Sequence, residues 1–209
     1  MLKLLATLSI SLLILGGCAG KFEYKQPQAP KSVQNTITIN KSKDIVWKKI
    51  IPQLGSSFFV INNLDKDSGF INISYSGDPE KYIDCGSISS FVQNARGKRN
   101  YNFPASSEYQ EFETMINGNY LQFQRSMKLD GRINIVIQTI DEENTLVSIN
   151  AKYIVTKNIT VVNTSNHTQK VSDTISFNTN GSDSFPKGGT KCYSTGKLEK
   201  DILNLLNFD

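Results

Sequence analysis

The 209-residue sequence predicts an α+β fold: a single domain in which a curved antiparallel sheet packs on a C-terminal helix. Three observations carry this expectation. Between residues 119 and 178, apolar and polar residues alternate in run after run, the period of half-buried strands. Leu198, Ile202, Leu205 and Leu206 fall at i, i+4, i+7 and i+8, a helical stripe that needs an apolar partner. The apolar face of the alternating strands supplies that partner.

Taken in order, Ser42 suits the N-cap of a helix over residues 43–54. Val46, Trp47, Ile50, Ile51 and Leu54 share one face of it, while Lys43, Lys48 and Lys49 share another. Trp47 lies on the apolar stripe and belongs to the core. Pro52 marks the last turn and Gly55 the exit. A strand from Phe58 to Ile61 and a second from Phe70 to Tyr75 flank Asp65-Lys66-Asp67-Ser68-Gly69. That turn lacks the ligand spacing of a calcium loop, so a hairpin is expected. Gly77-Asp78-Pro79 is turn chemistry, and Tyr82-Ile83 is a short strand leading to Cys85.

Residues 87–117 show little periodicity and are expected to form a long loop. Within it, Arg96, Lys98 and Arg99 are interleaved with Tyr101 and Phe103, residue types favoured at interfaces. These five are the candidate partner-binding residues; a solvated loop is the alternative.

Leu121, Phe123, Arg125, Met127 and Leu129 then alternate with polar residues, and Asp130-Gly131 has the composition of a tight turn. Ile133, Ile135 and Ile137 alternate next, followed by a turn at Asp141–Asn144 and a run from Val147 to Val155. This predicts a three-stranded meander. Residues 157–178 form a further hairpin with its tip at Thr164–His167, and 180–190 a loop. Lys191-Cys192-Tyr193 is a short last strand, and Thr195 caps the C-terminal helix.

The first residues have another character. Lys3 precedes an apolar run from Leu4 to Leu15, then Gly16-Gly17 and Cys18. That is the layout of a secretory signal peptide over residues 1–17, too short to span a bilayer. Leu15-Gly16-Gly17-Cys18 resembles the lipobox of bacterial lipoproteins. The resemblance implies cleavage before Cys18 and acylation of its thiol, palmitate being a typical chain, and of the new amino terminus. It further implies stable attachment to a membrane, since each buried CH2 contributes about 0.8 kcal/mol. Ala19 stands where an aspartate would retain such a protein at the inner membrane, which points to the outer membrane. Residues 18–35 are polar with Pro27 and Pro30, and are expected to be a lipidated N-terminus and flexible tether. The folded domain then covers residues 36–209.

With Cys18 acylated, Cys85 and Cys192 remain. An oxidising compartment favours a disulfide between them; two separate buried thiols are the alternative. The mature chain carries 22 basic and 19 acidic residues, too mild an excess for nucleic acid. There is no G-x-S-x-G or H-E-x-x-H, and His167, the only histidine, sits at a hairpin tip. Neither catalysis, a metal nor a cofactor is expected.

The helix with Lys48-Lys49 and the hairpin from Phe58 to Tyr75 resemble the helix-grip domains of the accessory C lipoprotein of the outer-membrane barrel-assembly machine. The resemblance covers residues 42–75 and the general order of elements. It implies a structural or accessory subunit of an outer-membrane assembly or secretion complex, partnered by envelope proteins and a membrane. A second expectation is a carrier or sensor of a lipid or small apolar ligand, held in a cavity between sheet and helix.

Overall fold

The computed structural model describes residues 19–30 and 32–207. The expected signal peptide, over residues 1–17, and Cys18 lie outside the described residues. The first described elements are β1 (Ala19–Lys25), β2 (Thr36–Ile39) and helix α1 (Lys43–Gly55). A hairpin of β3 (Val60–Asp65) and β4 (Phe70–Gly77) follows, then a 3-10 turn at Pro79–Lys81 and β5 (Ile83–Asp84). Next come β6 (Ser87–Asn94), β7 (Gly97–Pro104) and β8 (Tyr109–Ile116), then two long strands, β9 (Asn119–Thr139) and β10 (Thr145–Asn163). The chain finishes with β11 (Thr168–Asn178), β12 (Ser182–Ser184), β13 (Lys191–Ser194) and α2 (Lys197–Asn204). This is the expected α+β architecture, an antiparallel sheet with a C-terminal helix in one domain.

The strands form three sheets. The seven-stranded one runs β11-β10-β9-β4-β3, with β8 also on β9 and β2 also on β10. Two three-stranded sheets, β1-β6-β7 and β12-β13-β5, complete the fold. On β9 and β10 every odd residue from Arg125 to Ile137 and from Thr145 to Lys157 is buried, as an unbroken period of two requires. Val46, Ile50 and Leu54 of α1, Leu198 and Ile202 of α2, and Ile88 and Phe103 of the small sheet join these side chains in one continuous core. Trp47 packs against that core, as its place on the stripe predicts.

Three expectations are corrected. Asp130-Gly131 is not a turn: β9 runs straight through it, with Gly131 opposite Tyr75 on one side and Tyr153 on the other. A Cβ on Gly131 would stand 3.5 Å from Tyr75 Cβ and 3.9 Å from Leu198 Cδ2, so the residue lies where the sheet, a ring and α2 meet. The 87–117 loop is instead β6, β7 and β8. Their inward positions include Ser90, Arg99 and Thr114, which dilutes the apolar alternation. The expected tether is not one: residues 19–25 form β1 against β6, and residues 26–35 link β1 to β2 within the fold.

Smaller differences follow local chemistry. The first strand of the β3–β4 hairpin spans Val60–Asp65 rather than 58–61, with Asp65 Oδ1 accepting from the Asp67 and Ser68 amides at 3.1 and 3.2 Å. Gly196, at φ 75°, is the N-cap of α2 in place of Thr195. The Thr195 hydroxyl donates to the Tyr82 carbonyl at 2.9 Å and accepts from the Lys197 amide, the first of α2, at 3.3 Å. Buried Glu199 seats α2 by accepting from the Tyr153 and Thr179 hydroxyls at 2.8 and 2.7 Å.

Candidate functional site

The end of the molecule where the chain leaves position 18 is the candidate site. Lys21, Glu23 and Lys25 alternate with Phe22 and Tyr24, which gives β1 one face to turn inward. Ala19 pairs with Gln93 and Lys25 with Ser87. Phe22 stacks on Phe112 with centroids 6.3 Å apart. The Tyr24 hydroxyl accepts from the Lys191 amide at 2.9 Å and donates to the Cys85 carbonyl at 3.0 Å. Burial raises the Tyr24 phenol above its ordinary pKa, so it stays a donor at neutral pH.

Those contacts lead to the cysteines. The sulfurs of Cys85 and Cys192 are 2.05 Å apart, at disulfide distance, and both residues are fully buried. β5 and β13 meet there through only two residue pairs, Ile83 with Ser194 and Asp84 with Tyr193.

Register places three hairpin ends around Ala19. Its partner Gln93 is next to Asn94, which pairs with Gly97 across the β6–β7 turn. Met115 packs at Gly20, two residues before the β8–β9 turn at Asn117 and Gly118, both at positive φ (50° and 77°). Asn163 pairs with Leu121, bringing the β10–β11 tip to the same end. Ala19, the residue that follows position 18 in the sequence, therefore lies beside these tips.

The five candidate contact residues divide between the β6–β7 turn and the two faces of β7. Arg96 and Lys98 are exposed at the tip. Arg99, Tyr101 and Phe103 turn inward. Arg99 Nε pairs with Glu113, and its Nη1 donates to Gly97 at 3.1 Å. Phe103 is buried with its ring 5.1 Å from Phe112, and Tyr101 is half-buried against the same core. They do not form one surface; Arg96 and Lys98 alone remain available.

Two buried cations escaped the sequence reading. Arg125 is 2% exposed; its Nη2 donates to the Ala105 carbonyl, and its Nη1 has no partner among the described residues. Lys157, 1% exposed, donates to the Lys187 carbonyl at 2.9 Å and lies 4.1 Å from the Phe185 ring centre. Burial, with Arg125 nearby, pushes Lys157 down to about 8, and burial takes Arg125 to about 10. The signal was present, since both sit at apolar-phase positions of alternating strands.

The apolar stripe of α2 fills the space beneath it: Leu198 and Ile202 are fully buried and Leu206 nearly so. A groove of about 720 Å³ lies between α2 and the segment 32–37, lined by Val33, Ile37, Gly196, Lys200, Leu203 and Asn204. No three His, Cys, Asp or Glu side chains converge among the described residues. No helix among them is long and apolar enough to cross a membrane.

No family model, curated protein or solved structure matches this chain.

Proposed function

We propose that this chain is a non-enzymatic bacterial lipoprotein, anchored at the outer membrane through acylated Cys18. Its body serves as a structural or accessory subunit of an envelope complex. The observation that carries this reading is that β1 begins at Ala19, the residue after the lipobox-like Leu15-Gly16-Gly17-Cys18 of the sequence, and Ala19 already pairs with Gln93. Acyl chains on Cys18 would hold the β6–β7 tip, with Arg96 and Lys98, at the headgroups, where cations are favoured near anionic lipid. The Cys85–Cys192 pair suits an oxidising compartment. The filled interface under α2 speaks against the carrier reading, which needs a cavity there.

The test is radiolabelled palmitate incorporation and membrane fractionation of the wild-type chain and Cys18→Ser, with crosslinking in intact cells. Label on the wild type alone, its retention in the membrane fraction, and a reproducible crosslinked envelope protein are expected. An unlabelled wild-type chain overturns the anchor. A labelled chain with no crosslinked protein overturns the subunit role.

A further inference from the structure

The outward face of the seven-stranded sheet breaks two rules of sheet composition in one place. Asn72, Asn134 and Asn150 are successive cross-strand partners on β4, β9 and β10. Their amides are linked to one another and to neighbours: Asn62 donates to Asn72 at 3.0 Å, Asn72 to Asn134 at 2.7 Å, and Asn35 to Asn150 at 3.3 Å. Asparagine is depleted in strands, and Thr or Lys would solubilise such a face at less cost.

One level along, Ser74, Arg132, Lys152 and Asn178 are again successive partners. Arg132 and Lys152 therefore stand directly opposite each other, a like-charge pair that destabilises a sheet. Both are exposed, and neither has a carboxylate partner among the described residues. Asp130, on the same face, is held by Lys128 at 3.2 Å. Between the two levels the surface dips into a depression of about 470 Å³, lined by Asn72, Arg132, Asn134, Asn150, Lys152 and Asn178.

From these features we infer that the depression binds an acidic oligosaccharide. The Asn72 amide is spent within the row, on Asn62, Asn134 and the Ile133 carbonyl, but Asn134 and Asn150 each keep an NH2 donor that no described residue takes, beside a carbonyl oxygen with a second lone pair, the combination that neighbouring sugar hydroxyls need. The Arg132–Lys152 pair supplies charge-assisted bonds to a sugar carboxylate. The amide row crosses from β3 to β10, about 14 Å at ordinary strand spacing, which suits several rings rather than one. A bound carboxylate also relieves the repulsion between the cations, so the ligand completes what the sheet leaves unbalanced. This site does not depend on the anchor at Cys18.

The test is calorimetric titration of the detergent-solubilised full chain with tetragalacturonate, maltotetraose and tetra-aspartate. These separate carboxylates with hydroxyls, hydroxyls alone and carboxylates alone. Tetragalacturonate is expected to bind at least about tenfold more tightly than either of the others. Arg132→Gln with Lys152→Gln is expected to weaken it about tenfold, and Asn134→Thr with Asn150→Thr about threefold. Both double variants should melt at or above the wild-type temperature. No tetragalacturonate binding up to about 10 mM, equal binding of tetra-aspartate, or an affinity that neither double variant changes overturns the inference. The first two outcomes are read on the wild-type chain and do not depend on the variants folding.

Discussion

The Cys85–Cys192 link closes a loop of 107 residues that contains every strand from β6 to β12. Removing it with Cys85→Ala and Cys192→Ala frees the unfolded chain. For a loop of that length the chain-entropy relation gives a loss of about 4.8 kcal/mol. The native contacts that remain around it are few, since β5 and β13 share two residue pairs. The double variant therefore has little to offset the loss. In urea, at about 2 kcal/mol per molar, the midpoint should fall by about 2 M. The melting temperature should drop by about 10–15 °C for a chain of this size. The assay is equilibrium urea unfolding followed by Trp47 fluorescence, on the oxidised wild type, the reduced wild type and the double variant. Reduced wild type and variant should agree. A midpoint shift under about 0.5 M in both would falsify the reasoning, because the cross-link would then not constrain the unfolded state.

Two other perturbations have signed outcomes. Lys157 sits near 8 in the fold against 10.5 for an ordinary lysine, so between those values the unfolded chain binds more protons and stability rises with pH. From pH 7.5 to 9.5 the wild type should gain about 1 kcal/mol on Lys157→Met, after discounting for solvent screening; parallel stability curves would refute the buried charge. A Cβ at Gly20 would come within 2.4 Å of Met115 Cβ and 3.0 Å of the Phe91 carbonyl, so Gly20→Val should peel β1 from β6 and β8. Amide exchange should then accelerate over residues 19–25 and leave β9 protected; unchanged protection there would show that β1 is not held as described.

The sequence made legible whatever rested on a strong period: α1, the β3–β4 hairpin, the β10–β11 tip and the stripe of α2. The error at Asp130-Gly131 shows why composition alone misleads. A two-residue turn there would pair Leu129 with Arg132 and Lys128 with Ile133, placing Leu129 and Ile133 on opposite faces. The odd-numbered apolar phase passes through the glycine unbroken, from Met127 to Ile137, and only a continuous strand keeps those side chains on one face. Phase therefore outranks the turn dipeptide. The small sheet was hidden for a different reason. β6, β7 and β8 bury Ser90 and Thr114 and turn Arg99 to Glu113, so their inward face lacks the apolar repeat. The amide and cation levels on the outer face could not be read at all, because they depend on which strands become neighbours.

That β1 begins at Ala19, next in the sequence to position 18, bears on what the proposed anchor could hold. Seventeen residues of coil would let the domain wander about 20–25 Å from the bilayer, in any orientation. With β1 in the sheet, Ala19 is fixed to Gln93, and Tyr24 ties the same strand to Cys85 and Lys191. A rigid body held at one end by the acyl chains of the proposed anchor keeps its hairpin tips at the surface, and its long strands carry the outer sheet face to a set height above it. β9 has 21 residues, so at about 3.3 Å per residue it spans about 65–70 Å. Arg132 and Asn134 lie beyond its midpoint from the tip, more than about 40 Å along the strand. A ligand at that face would therefore be held well clear of the headgroups, by a strand rather than a tether.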